Sequence, residues 1–289
     1  MPSKTITEEL KESIIDFYLD APKTIESVAK KFSLSNPTVI KILKDVPKYK
    51  KALLNNPELV EDYFSVIDTE KKAYFLGLIV SDGNVFVDEK HIEANRQASI
   101  SITLDLGDEY LLEAFKNELK TNTSIAYDGR GCGQIAVRSN IIANDLKKHG
   151  IGPRKTFTAY MPDTIPNDLL KHFVRGVFDG DGSIMAKQCK TRFLHAISFC
   201  GTHRLMSDIS NLLVNEGLVT VVPKVYDYKN RSLSEIKVQN KNDMKTVGDW
   251  MYSGATVYMR RKKEKYDYFN NFYGNSEVSS EIAKGSETP

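Results

Sequence analysis

A chain of 289 residues with 41% hydrophobic and 27% charged side chains has ordinary globular usage, which excludes collagen-like, mucin-like and wholly disordered classes. Lys and Arg number 40 against 38 Asp and Glu, a formal charge of +2, so a nucleic-acid partner must be argued from where the charges sit. The length suits roughly two domains, and the longest apolar run, around Phe75–Val80, falls far short of the roughly 20 residues that span a bilayer.

The chain starts MPSKTITEELKES, with no apolar leader and no small-residue cleavage site. That predicts an intracellular protein, cytoplasmic or nucleoid-associated, neither secreted nor membrane-bound. Residues 1–50 read as a separate helical module. Leu10, Ile14, Ile15 and Tyr18 recur at helical spacing, Ile25, Val28 and Ala29 follow, and after FSLS come Val39, Ile40 and Leu43 on one face. Ser35 is placed to cap the third helix and Pro37 suits its first turn. Helix, helix, tight turn, helix is the helix-turn-helix pattern, whose last helix would present Asn36, Thr38, Lys41 and Lys44 to a major groove. A trihelical packing module without DNA contact is the alternative.

Residues 51–67 are polar and Lys-rich and read as a linker; Lys48, Lys50 and Lys51 are candidates for tracking phosphates. Residues 274–289 have almost no apolar content and are expected to form a disordered tail.

Between them the chain repeats itself. YFLGLIVSDGNV matches FVRGVFDGDGSI with Asp82 on Asp181, an offset of 99 residues; SISIT on AISFC gives 97, and QIAVR on EIKVQ gives 101. The boundaries are 68–152 for copy one and 153–273 for copy two with its connection. Each copy reads as helix, two strands, helix, two strands, helix, an α+β class with two pseudo-symmetric αββαββα repeats. Ala98, Ile100, Ile102 and Leu104 alternate with Gln97, Ser99, Ser101 and Thr103, so one sheet face packs and the other is wet. Gln134, Ala136 and Arg138 point outward in copy one, and Glu235, Lys237 and Gln239 in copy two. Groups that can read base edges and phosphates are Arg96, Gln134, Arg138, Lys187, Arg192, Lys237 and Gln239, although an ordinary solvated sheet looks similar.

The paired motif carries the chemistry. Each apolar helix bears small residues four apart, Gly77 with Ser81 and Gly176 with Gly180, so the two helices can approach backbone to backbone. Each ends in Asp-Gly, with Gly83 and Gly182 expected in the left-handed conformation that stops a helix. Asp82 and Asp181 then sit at the helix end where a carboxylate is unfavourable, and their mutual repulsion calls for a cation. Hard oxygen ligands with water completing the shell describe a magnesium site, and two such carboxylates can serve two strands of a duplex.

These residues resemble the two signature motifs of the LAGLIDADG homing endonucleases in their single-chain form, over about residues 68–265. Copy one departs from the pattern with Val80 and Ser81 where Asp179 and Gly180 stand in copy two. The resemblance implies a saddle of two antiparallel sheets over double-stranded DNA and cleavage of both strands with Mg2+ (or Mn2+). It also implies a monomer with internal pseudo-twofold symmetry and no protein partner. Asp82 and Asp181 match the metal-binding acids, with the carbonyls of Ser81 and Gly180 as accessory ligands. Lys155 and Lys262 match the lysines that polarise the phosphate or attacking water, with Lys263 competing for the second place. The chain lacks intein splicing residues, so the free-standing form is expected. Two other readings use the same scaffold: a catalytically silent transcriptional regulator, against which the presence of both acids counts, and an intron RNA maturase.

Elsewhere the signals are weak. Cys132, Cys189 and Cys200 lack metal or disulfide spacing and read as buried thiols. The five histidines show no ligand spacing, GRGCG reads as a hairpin turn and not a phosphate loop, and no nucleotide cofactor is indicated. Trp250 and the aromatics from Tyr258 to Phe272 read as helix packing.

Overall fold

The computed structural model describes residues 6–20, 25–44, 46, 56, 58–87, 98–153, 155–229 and 233–285. They fall into two units, 1–59 with 121–123 and 60–120 with 124–289.

In the first unit the helical spacing forms α1 (Glu8–Asp20), α2 (Ile25–Phe32) and α3 (Asn36–Leu43). Ile14, Tyr18, Val28, Ala29, Val39 and Leu43 close a small core. The Ser35 hydroxyl accepts from the Thr38 N–H at 3.4 Å and Pro37 lies in the first turn of α3, as its sequence predicts. Ser33, at φ 55°, turns the chain between α2 and α3. Ile40 differs from expectation: it is 42% exposed, because the i, i+4 pair Val39 and Leu43 defines the buried stripe and the next residue is rotated off it.

The second unit carries the repeat. Copy one is α4 (Glu70–Asp82), β1 (Gly83–Phe86), β2 (Ser99–Asp105), α5 (Glu109–Glu118), β3 (Ala126–Tyr127), β4 (Cys132–Arg138) and α6 (Asn140–Lys148). A short α7 (Lys155–Thr158) leads to copy two: α8 (Leu170–Asp181), β5 (Ser183–Gln188), β6 (Phe193–Gly201), α9 (His203–Asn215), β7 (Tyr226–Asp227), β8 (Ser234–Val238) and α10 (Lys241–Tyr252). A closing helix, α11, runs Arg260–Gly285. The two antiparallel sheets have equivalent orders, β1-β2-β4-β3 and β5-β6-β8-β7. Their registers are equivalent too: Ile100 pairs with Val137 where Ile197 pairs with Val238. The duplication read from sequence offsets is therefore a duplication of hydrogen-bonded structure.

Both motif helices are buried nearly all round, from Ala73 to Val80 in α4 and from His172 to Asp179 in α8. The buried stretch of α4 is apolar on nearly every side, as suits an interior helix, whereas α8 also buries His172, Arg175 and Asp179. Here α4 and α8 pack on each other and on the sheets. A Cβ on Gly77 would run into the Phe173 carbonyl and one on Gly176 into the Tyr74 carbonyl, with Gly77 Cα 3.0 Å from that second position. The backbone-to-backbone approach expected from the small residues is present.

Two segments differ from the sequence reading. Residues 60–67, expected as linker, belong to the second unit, where Tyr63, Phe64 and Ile67 are buried; three apolar side chains among charges carry no clean period but still fill a core. Lys48, Lys50 and Lys51 lie outside the described residues. The expected tail is helical as far as Gly285, because a helix nucleated by the packed Tyr266 and Phe269 extends at little cost per residue. Residues 286–289 lie outside the described residues.

Candidate active site at the paired helix ends

The crossing of α4 and α8 brings their carboxyl ends together. A Cβ on Gly180 would collide with the Ser81 hydroxyl and stand 3.2 Å from Asp82 Oδ2, which puts the end of each helix against the other. Gly83 and Gly182 follow, but not in the left-handed conformation expected. Their φ, ψ values are −79°, 160° and −84°, 169°, extended backbone open to any residue. Glycine is needed for space instead: a Cβ would lie 2.7 Å from Ile79 Cα at the first and 2.6 Å from the Phe178 carbonyl oxygen at the second. The strand thus leaves flush against the helix it ends, and the carboxylates project from the junction.

Asp82 is half-buried and its pKa is pushed up to about 6, first by loss of water and next by the charge of Asp181, with Lys262 and Lys155 pulling the other way. Asp181 is solvent-accessible, yet the protein around it excludes enough water to raise its carboxyl as well, again opposed by the two lysines. Two acids that both resist ionisation, Asp82 in part because of the charge on Asp181, are short of positive charge.

The structure brings both predicted lysines to this point. Lys155, at the start of α7, is buried and donates from Nζ to the carbonyls of Val80 at 2.7 Å and Ser81 at 2.6 Å. Lys262, in the first turn of α11, is buried and lies within hydrogen-bond distance of four carbonyls of α8 and its exit: Phe178, Asp179, Gly180 and Gly182. Each ammonium occupies the helix end where the macrodipole favours a cation. Burial pulls both lysines below their ordinary pKa, Lys262 to about 8. Lys263 is tied instead to Asp267 on the surface of α11, at 2.6 Å.

No group of three or more His, Cys, Asp or Glu placed for a metal exists among the described residues. A cation here would have two carboxylates and helix-end carbonyls, a hard-oxygen set that fits magnesium or manganese with water filling the remaining positions. The carbonyls of Ser81 and Gly180 already accept from the lysines, and a carbonyl oxygen has a second lone pair to offer. A cavity of about 40 Å³ lined by Ser81, Lys155, Asp181 and Cys200 adjoins the acids, room for one or two waters.

The candidate DNA-reading side chains fall outside this cluster. Gln134 and Arg138 are exposed on the wet face of the first sheet, Gln134 Nε2 donating to Thr103 Oγ1 at 2.9 Å. Lys187, Arg192 and Gln239 are exposed in copy two. Lys237 is exposed but paired with Glu235 at 2.9 Å. Glu235 itself, expected to point into solvent, is buried beneath the Tyr228 hydroxyl, which donates to it. Arg96 lies outside the described residues. Asn36, Lys41 and Lys44 are exposed on α3, while Thr38 is half-buried and its hydroxyl bonds to Ser35 at 2.8 Å. The sequence reading passed over Asp179, a fully buried acid, and Arg261, whose charge reaches Asp82 and whose Nε donates to buried Asp108 at 2.8 Å.

No family model and no curated protein matches the chain. Solved structures do. The I-SmaMI LAGLIDADG homing endonuclease bound to cleaved DNA is similar at TM-score 0.51 and 12% identity, covering 76% of this chain and 95% of its own. The I-LtrWI LAGLIDADG homing endonuclease bound to target DNA is similar at TM-score 0.51 and 13% identity, over 72% and 91%. The chain has the LAGLIDADG homing-endonuclease fold. At such low identity the likeness is one of architecture, two αββαββα repeats about a pair of motif helices, and the site above lies where those helices end. Among the described residues no helix is long and apolar enough to cross a membrane.

Proposed function

We propose that this protein is a site-specific endonuclease of the homing type, which hydrolyses one phosphodiester on each strand of double-stranded DNA with a divalent metal. The observation that carries the proposal is the pair of abutting helix ends, each bearing one aspartate and each met at its last carbonyls by one buried lysine, Lys155 from α7 and Lys262 from α11. The relatives of this fold are DNA-bound endonucleases, which supports the same reading.

Asp82 and Asp181, each serving one strand, would hold divalent metal, with the carbonyls of Ser81 and Gly180 as further protein ligands. A bound magnesium or manganese ion supplies Lewis-acid polarisation of the phosphate and makes a coordinated water more acidic. Lys155 and Lys262 stand beside the acids as fixed donors, where charge develops on the phosphoryl oxygens. Gln134, Arg138, Lys187 and Gln239 on the sheets contact base edges and phosphates, and α3 of the first unit adds contacts through Asn36, Thr38, Lys41 and Lys44. The protein acts as a monomer, since one chain supplies both halves of the site.

Cleavage of a randomised duplex library with magnesium, followed by sequencing of new ends, tests this. Defined double-strand ends that vanish in the Asp82→Asn, Asp181→Asn double mutant are expected. Enrichment of a bound sequence with no cutting by the wild type would reject the nuclease.

A further inference from the structure

Asp179 occupies in α8 the position that Val80 occupies in α4, and none of it reaches solvent. Its Oδ2 accepts from the Tyr74 hydroxyl of α4 at 2.9 Å and from the Met259 N–H at 2.7 Å, while its Oδ1 has no hydrogen-bond partner. A buried carboxylate with an oxygen unsatisfied costs stability, and a valine fills the equivalent place in the other motif helix. The acid therefore needs a reason beyond packing.

Its second partner supplies one. The Met259 carbonyl accepts from the N–H groups of Lys262 at 3.0 Å and Lys263 at 3.1 Å, so Met259 sets where α11 begins. Lys262 then turns back to donate to the carbonyls around Asp179 itself. The path closes on itself: α8, the Asp179 carboxylate, the Met259 backbone, the first turn of α11, and Lys262 back onto α8. Tyr110 braces the same stretch, donating to the Tyr258 carbonyl at 3.1 Å and accepting from the Arg260 N–H at 2.6 Å.

We propose that Asp179 is a positioning residue that anchors the start of α11 so that Lys262 stands at the end of α8. Its kinetic consequence rests on the nuclease reading; its structural consequence does not. Lys155 needs no such anchor, because it enters the site from α7 without passing through Met259.

The test has two readouts on one series: wild type, Asp179→Asn, which keeps an acceptor oxygen, and Asp179→Val, which installs the residue of copy one. Acetylation by a soluble amine-reactive reagent, followed site by site by mass spectrometry, should quicken at Lys262 from wild type to Asn to Val, by about tenfold at the end of the series. Lys155, equally buried, serves as the internal reference and should not change. A flat series at Lys262, or deprotection of Lys155 in step with it, would overturn the proposal. Should Asp179→Val not fold, wild type against Asp179→Asn decides on the same criterion. In single-turnover cleavage the Val variant should cut one strand about tenfold more slowly, ~1.4 kcal/mol of barrier, with duplex affinity unchanged and the rate largely recovered in Asp179→Asn. Equal loss in both variants, or loss of affinity in place of rate, would overturn it. If wild type cuts no duplex the nuclease reading fails, and the labelling series still decides the role of Asp179.

Discussion

The two motif helices end differently around the same chemistry. In α4 the last turn reads Val80, Ser81, Asp82, and Lys155 arrives from a four-residue helix to meet two carbonyls. In α8 it reads Asp179, Gly180, Asp181, and Lys262 arrives from the 26-residue closing helix to meet four. An aspartate, a lysine on the helix-end carbonyls and a glycine where the strand departs are common to both; the two residues before the aspartate and the route of the lysine are not. What is duplicated is the aspartate and the lysine beside it, and what has diverged is the scaffold delivering the lysine.

The largest expected effect comes from breaking what is common. Asp82→Asn and Asp181→Asn together should lower double-strand cleavage by about 10³-fold or more, ~4 kcal/mol of barrier, with target binding retained. Either substitution alone should leave a nicking enzyme, seen as relaxed circles from a supercoiled target plasmid. Equal activity on both strands in a single mutant would mean that the two ends are not separate sites.

Next comes the contact that brings the ends together. Gly176→Ala places a methyl on the Tyr74 carbonyl at a backbone crossing that cannot give way, and should cost about 3 kcal/mol or more in a denaturant titration. The atoms nearest a Cβ on Gly180 belong to the Ser81 and Asp82 side chains and not to backbone; Gly180→Ala should cost less in stability and more in cleavage. A reversed order would place the critical approach at the acids and not at the crossing.

This crossing shows what the sequence made legible and what it did not. Gly77 and Gly176 announced a close helix pair because only glycine lets backbones meet, and the offsets near 99 announced the paired sheets because alternation and register repeat together. Asp82 and Asp181 are legible in the paired motif, Lys155 and Lys262 only through the family resemblance, and the four lie close enough for both lysine charges to act on both acids. The conformation of Gly83 and Gly182 was misread because steric need and left-handed backbone leave the same letter. Asp179 was passed over because a buried acid with partners 80 and 105 residues away has no local signature; the mismatch with Val80 was its only trace. Residues 60–67 read as linker because a segment that fills another element's core need show no period of its own.

A smaller effect, opposite in sign, probes the charge at the shared site. Asp82 has its folded pKa raised to about 6 from an ordinary 3.8, so the native state binds the extra proton, and stability without metal should fall as pH rises from about 4 to 6. At pH 7 the ionised carboxylate is a cost, and Asp82→Asn should raise stability by about 2 kcal/mol while abolishing cleavage of one strand. Magnesium should reverse this by drawing Asp82 into its ionised form, so the magnesium-induced rise in Tm should be largest at pH 7 and shrink below pH 6. A Tm rise independent of pH would remove Asp82 from the metal's ligands.

The smallest effect concerns the first unit, and it separates anchoring from cutting. The described part of α3 carries Asn36, Lys41 and Lys44 on exposed positions, enough for a few phosphate or base contacts but not for a site of its own. Tethered modules add affinity through effective concentration and need make no contact near the reaction. Replacing Lys41 and Lys44 with alanine should therefore weaken binding about tenfold or less and flatten the dependence of affinity on salt by up to two phosphate contacts' worth. Removing residues 1–50 should go further in the same direction. On the proposed nuclease reading the cut position on the target should stay fixed in both variants, because the proposed metal site lies at the ends of α4 and α8 and not in the first unit. A shifted cut would show that the N-terminal helices set the register of the duplex. An unchanged salt slope would leave α1–α3 as a packing module that the two lysines merely keep soluble.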